Sequence, residues 1–478
     1  MKKIFFILFL LHSSFVIVNS QWQPDVRLTN DPAESYTSYN NEMCVAASGD
    51  SVYAVWFDIR NGNYEIYFKR SANAGISWGP DTRLTNNTAF SGNPTITISG
   101  SFVYVVWSEG GGLFFKRSAN AGETWESEIQ LYTNCYDGPS IAVWGSSVYV
   151  VWATSTNQLR YKKSTNWGSN WQTDILLTNT IFFPEPPSVA ASGSFVHIVW
   201  NDERDGNREI YYKRSSDGGI NWGADTRLTN NPEQSFWPSI AVSGSTVHVV
   251  WQDNRNESIL NIFYKRSTND GASWGADTQI TNSNGDAWLP SITASGQAVH
   301  VIWYDFRDSN NEIYYKFSSN SGTGWGADIR MTFDTSESRF PSVAASGMSV
   351  HAVWTDLRDG NREIYYKRNP TGNFVGINQI NTTELPKGYN LSQNYPNPFN
   401  PTTKIRFALP PSPKGEGLGV RVIVYDILGR EMAILVNEQL KPGIYEVTLD
   451  ASNFSSSIYY YRLIAGEYTE TKKMILLK

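Results

Sequence analysis

The chain has 478 residues, a net charge of −6 and only 18% charged residues, with 18 Trp, 26 Tyr and 23 Phe. That length exceeds one core, so two or three domains are expected. The acidic balance argues against nucleic acid and against an anionic membrane surface, since both reward basic patches. Aromatic residues beside frequent Gly and Asn suit short strands and tight turns rather than disorder.

Residues 1–20 read as a secretory signal peptide. Lys2 and Lys3 precede an apolar run from Ile4 to Leu11, and Val18-Asn19-Ser20 leads into a cut before Gln21. The run is short for a membrane anchor and His12-Ser13-Ser14 interrupts it; no later segment is apolar enough to span a bilayer. A soluble, monomeric mature product is expected. Export permits a disulfide between Cys44 and Cys135, but they fall in repeats that are not neighbours.

Repetition dominates residues 22–370. A β-rich segment ending in Trp recurs at Trp56, Trp107, Trp152, Trp200, Trp251, Trp303 and Trp354, spaced 45–52 residues apart. That is about the length of a four-stranded propeller blade. One repeat runs Pro238 to Gly244, Val247 to Trp251, Ile262 to Arg266 and Thr278 to Thr281, which reads as four strands, A to D. The seventh set ends near Asn369-Pro370 without a D strand. Asp25 to Asn30 matches Asp225 to Asn230, so the N-terminal strand is expected to complete the last blade and close the ring. The prediction is an all-β fold: a seven-bladed β-propeller closed by the N-terminal strand.

A second pattern marks the turn between strands C and D. Ser71, Asn73, Gly75 and Trp78 form Ser-x-Asn-x-Gly-x-x-Trp; Ser215, Asp217, Gly219 and Trp222 repeat it, and six copies occur in all. The pattern resembles the Asp-box of sialidase-type propellers, with Asn for Asp in five copies. Asp or Asn is expected to bond turn amides, Gly to take a positive φ, and Trp to pack the hairpin down. This is a folding motif. The catalytic set of sialidases (three arginines, a Tyr–Glu pair and an Asp) does not map onto this chain residue by residue.

Beyond a linker at 371–388, residues 389–478 show strand-like alternation with turns every eight to twelve residues, which implies a small Ig-like β-sandwich. Asn394-Tyr395-Pro396-Asn397-Pro398-Phe399-Asn400-Pro401 and the closing Lys472 to Lys478 closely resemble the type A C-terminal sorting domain of the type IX secretion system. That resemblance implies contact with the type IX machinery, passage through the outer membrane, and removal of the domain with attachment at the surface. Pro410 to Gly419 is an added Pro/Gly-rich loop.

Candidate ligand residues lie on the face bearing the B–C and D–A loops. Arg60, Arg204, Arg255, Arg307 and Arg358 each follow an Asp by two residues, and such a ring can clamp carboxylate sugars. The same pairing at one address in five blades equally fits local turn-holding. Aromatics before strand A, namely Tyr39, Phe90, Tyr136, Phe183, Trp237, Trp288 and Phe340, are candidates for stacking sugars or peptides. Blades two and three lack the Asp–Arg loop, so a cleft is expected at that lower rim. His197, His248, His300 and His351 occupy one strand-B position in different blades and read as packing, not a metal site. The turns at Asp205 and Asp359 faintly resemble calcium loops but lack EF-hand spacing; no cofactor is expected. The sequence thus points to a surface propeller that binds glycan or protein, with a sialidase-like glycoside hydrolase and a structural adhesion protein as alternatives.

Overall fold

The structure is a computed structural model; it describes residues 22–38, 43–136, 138–178, 185–255, 259–370, 378–380, 385–411, 418–440, 442–451 and 454–478. The expected signal peptide, Tyr39 and Phe183 therefore lie outside the described residues, as does most of the Pro/Gly-rich loop. The chain divides into two units, one ending at residue 376 and one beginning at 377.

The first unit holds seven antiparallel sheets. Sheet two, for example, runs Ser91–Ser99, Phe102–Glu109, Gly112–Ser118 and Ile129–Tyr132 as strands A to D. Innermost strands contact one another in sequence order, and that of sheet seven contacts that of sheet one, so the sheets form a closed ring. Sheet seven consists of Ser338–Ser346, Ser349–Asp356 and Glu363–Asn369, and its outer strand is Val26–Arg27 from the other chain end. The register is Val26↔Tyr366 and Arg27↔Tyr365.

Each sheet buries its strand-B Trp almost completely, from Trp56 to Trp354. Losing one such side chain to Ala costs roughly 3–5 kcal/mol, which makes these seven residues the main apolar anchors of the unit. Neighbouring sheets are joined by serine side chains on the innermost strands. Ser188 Oγ accepts the Ile240 amide, Ser239 Oγ that of Ile292, and Ser291 Oγ that of Val343, each at 3.3 Å. Across the closure, Ser342 Oγ accepts the Cys44 amide at 2.9 Å. Cys44 and Cys135 are both buried and are not joined to each other.

The box tryptophans reach beyond their own hairpins. Trp78 packs edge-on against Tyr366 of sheet seven at 4.9 Å, Trp125 against Phe68 of sheet one, and Trp274 against Tyr212 of sheet four. Each box thus fastens its sheet to the preceding one. Gly75, at φ +81°, cannot be larger: a Cβ there would sit 1.7 Å from the Tyr366 hydroxyl oxygen. Within the turn, Asn73 Oδ1 accepts the Ser77 amide and Ser71 Oγ accepts that of Gly75, both at 2.9 Å, as the motif requires.

Sheet seven lacks the box loop, yet its Trp position is filled. Trp22 stands three residues before Asp25, as Trp78 stands before Asp81, and packs edge-on against Tyr315 of sheet six at 5.0 Å. Gln23 N–H donates to Arg368 O just as Gly79 N–H donates to Arg70 O. Strand C ends in a cation that reaches a carbonyl of the next box: Arg70 to Ala121, Arg214 to Asp270, Arg266 to Ser321 and Arg368 to Ala74. In sheet six, whose successor has no box loop, that residue is Phe317, stacked on His300 at 5.2 Å.

The second unit contains two four-stranded antiparallel sheets. One runs in the order Asn378–Ile380, Gly443–Asp450, Thr402–Leu409 and Asn390–Leu391; the other joins Leu418–Tyr425, Glu431–Leu440, Ser457–Ala465 and Tyr468–Leu476. Strand Thr402–Leu409 alternates exposed and buried, with Ile405, Phe407 and Leu409 inside, which is the pattern of a half-buried sandwich strand. Asn378–Ile380 falls in the segment expected to be linker and adds an edge strand instead.

Candidate binding face

Strand B of sheet one ends at Asp58, and the loop that follows returns Arg60 against it. Arg60 bonds Asp58 at 2.5 Å and Asp81, just before strand D, at 2.6 Å, with its guanidinium 4.4 Å from the Tyr67 ring centroid. Arg204, Arg255, Arg307 and Arg358 repeat this clamp with Asp202 and Asp225, Asp253 and Asp277, Asp305 and Asp328, and Asp356 and Asp25. Burial opposes the Arg60 charge, but hydrogen bonds to Asp58 and Asp81 overcome it and hold the guanidinium above its usual range. The five arginines are therefore engaged within their own sheets. A lysine of strand C completes each set, as Lys69 does on Asp81 at 2.8 Å.

Trp237, Trp288 and Phe340 lie inside the long innermost strands rather than in loops before them. Trp237 and Phe340 fall inside a register shift directly before Pro238 and Pro341, and Trp288 stands at the start of the equivalent shift, with Leu289 before Pro290. The missing proline N–H breaks the ladder there and bulges the strand. Trp237 and Phe340 take φ of 54° and 55°, a conformation that bulky residues rarely adopt. Tyr136 and Phe90 remain in loops and are exposed, at 60% and 47%. Trp237 shares with Met43, Ser140 and Pro187 a recess of about 10 Å³, enough for about one water.

A larger cavity, of about 130 Å³, opens between sheets seven and one rather than at the rim of sheets two and three. Tyr36, Glu337, Arg339, Phe340, Thr355 and Arg362 line it, with Leu357. Tyr36, in the short strand Ser35–Tyr36, pairs with Phe57 of strand B and stacks on its ring at 5.2 Å. The Tyr36 hydroxyl donates to Glu34. Arg362 Nη1 bonds both Glu34 oxygens at 3.0 Å and the Tyr36 oxygen at 3.2 Å. Opposite, Arg339 donates to Glu337 at 2.7 Å, while its buried Nε has no hydrogen-bond partner. Sequence reasoning missed Glu34, Tyr36, Glu337, Arg339 and Arg362. The available signal was that Arg339 and Arg362 fall outside the repeated Asp–Arg pairs.

The histidines are internal. His197, His248, His300 and His351 each bond a strand-C tyrosine hydroxyl through Nδ1 at 2.7 Å. Burial pushes His197, His248 and His351 down to about 4 and His300 to about 3. Asp359 accepts the Tyr365 hydroxyl at 2.5 Å and pairs with Arg27 at 3.3 Å, so that turn's carboxylate already has protein partners. Among the described residues no three His, Cys, Asp or Glu side chains converge as a metal site.

With this geometry in place, known proteins bear on the two units differently. Residues 393–477 match the family described as secretion system C-terminal sorting domain. The match sets the chain on the type IX route to the cell surface or extracellular space. Its motif is built into the second unit: Asn394 donates to Thr403 Oγ1 at 2.9 Å and Phe399 is buried. No helix among the described residues is long and apolar enough to cross a membrane.

No curated protein matches the chain. Similar solved structures include the polysaccharide lyase Uly1, at 11% identity and TM-score 0.47 over 73% of this chain and 99% of that one. Trypanosoma rangeli sialidase follows at 10% identity and TM-score 0.43, covering 94% and 88%. The NanB sialidase of Streptococcus pneumoniae gives 9% identity and TM-score 0.41 over 73% and 70%. The ring itself is read from this chain's own strand pairing.

Proposed function

We propose that the exported propeller is a cell-surface binding protein that holds the end of a glycan in the cavity between sheets seven and one. The observation that carries this reading is the lining: aromatic walls from Tyr36 and Phe340 beside the donors Arg339 and Arg362 and the acceptor Glu337. Sugar rings present apolar faces and a fringe of hydroxyls, so mixed aromatic and charged walls suit them. Its volume of about 130 Å³ leaves room for a carboxylate or hydroxymethyl arm. Calorimetric titration of the full chain with uronate and neutral oligosaccharides tests this. Saturable binding lost in Arg339→Ala and Arg362→Ala is expected; unchanged binding in both variants refutes it.

One observation favours glycoside hydrolysis as a second reading. The Tyr36 hydroxyl donates to the Glu34 carboxylate and lies 3.2 Å from Arg362, which places a hydroxyl nucleophile within reach of a general base. Fluorophore release from aryl glycosides, abolished by Tyr36→Phe, would establish the enzyme. Absence of release alongside saturable glycan binding leaves binding alone.

A further inference from the structure

Sheet two keeps the acids of the arginine clamp and lacks its cation. Glu109 stands two residues after Trp107, as Asp58 does after Trp56, and accepts Trp107 Nε1 and Ser91 Oγ at 2.9 Å. Glu128 precedes strand D as Asp81 does, and Phe114 takes the place of Tyr67 beneath the guanidinium. The loop between strands B and C is cut to Gly110-Gly111, which deletes the arginine. The other clamp pair, Glu65 with Arg83, is lost as a neutral unit, being replaced by Gly112 and Gln130. What remains uncompensated is the charge of one guanidinium.

Glu109 is only 9% exposed, its Oε1 accepts no hydrogen bond, and it forms no ion pair among the described residues. Among the described residues Glu128 makes neither a hydrogen bond nor an ion pair, whereas its equivalents Asp81, Asp225, Asp277, Asp328 and Asp25 each hold an arginine and a lysine. Desolvation and the like charge of Glu109 raise the Glu128 carboxyl above its usual range. Lys116, the remaining cation, bonds Leu84 O at 2.6 Å. Two exposed aromatics flank the short turn: Gly110 N–H donates to Phe90 O, and Gly111 O accepts Cys135 N–H next to Tyr136.

We propose that this slot receives the guanidinium of an arginine side chain presented by a protein partner, bound between Glu109 and Glu128 over Phe114. Five sister sheets show the bound geometry, with the guanidinium 4.2–4.6 Å from the ring centroid and fork-bonded to two carboxylates. That planar, two-acid arrangement selects guanidinium over ammonium. Phe90 and Tyr136 offer the partner's backbone an apolar margin.

The test is calorimetric titration of the full chain with a blocked pentapeptide bearing one arginine among alanines. Binding at least tenfold tighter than for the citrulline and lysine analogues is expected. Glu128→Gln, at an exposed position, should weaken it at least tenfold with an unchanged melting temperature; Glu109→Gln should abolish it. Equal affinity for the citrulline peptide, or indifference to Glu128→Gln, overturns the proposal. Methylguanidine binding as tightly as the peptide would assign the slot to small guanidines instead of a protein. Calcium binding that Glu128→Gln abolishes, with no peptide binding, would make it a metal site.

Discussion

Sheets five and two occupy equivalent places in the ring and solve the same loop differently. In sheet five, Asp253 is fully buried and accepts Ser235 Oγ, Trp251 Nε1 and Arg255, which in turn reaches Asp277. In sheet two the corresponding Glu109 keeps the first two partners and loses the third. Repetition shows what the scaffold needs, and the departure shows where a sheet is released from that need. A similar division separates sheets four to seven, which bury a histidine on strand B, from sheets one to three, where Tyr53, Tyr104 and Tyr149 stand there.

The largest expected effect follows from that second division. All four histidines have folded values below the unfolded value of about 6.5. Their neutral forms therefore support the fold fully above pH 6.5, and that support is lost as pH falls from 6.5 toward 4. The loss at pH 5 is on the order of 2 kcal/mol per histidine, at ~1.4 kcal/mol per unit. Melting temperature should fall steeply between pH 7 and 5. Hydrogen exchange should show sheets four to seven opening first, and uniform loss of protection would break the distinction.

Next is the clamp. Asp253→Ala leaves Arg255 and Trp251 without their buried acceptor and should cost about 3–5 kcal/mol. Glu109→Ala strands no cation and should cost about 1–2 kcal/mol. Equilibrium unfolding in urea reads both, and equal costs would erase the contrast. Arg266→Phe, which removes a bond to the following box, should cost about 1–2 kcal/mol, whereas Phe317→Arg should gain nothing because the sequence spells no box for sheet seven. The smallest difference is at the rim: Asp277→Asn should lower stability by roughly 1 kcal/mol and Glu128→Gln by less than about 0.5 kcal/mol.

Much of this was legible because the architecture repeats. The match of Asp25–Asn30 to Asp225–Asn230 points to the strand that pairs with Tyr365 and Tyr366. The Ser-x-Asn-x-Gly-x-x-Trp spacing marks the box turns, but a linear pattern does not say which sheet Trp78 touches. Trp22 went unread as a box residue because its Ser and Gly partners are absent from the N-terminal segment. The cavity was invisible for a related reason: Glu34 and Tyr36 are some 300 residues from Glu337, Arg339 and Arg362 in sequence. Repeats reveal what every sheet shares, whereas this cavity is lined by residues that the repeated Asp–Arg pairs do not mark.

The shared seventh sheet has a consequence for how the exported protein can be processed. Its closing strand comes from the N-terminal side, and its last C-terminal contribution ends at Asn369. Any cut beyond Pro370 removes the address without removing a rung from the ring. The molecule can shed its shipping label and keep its clasp.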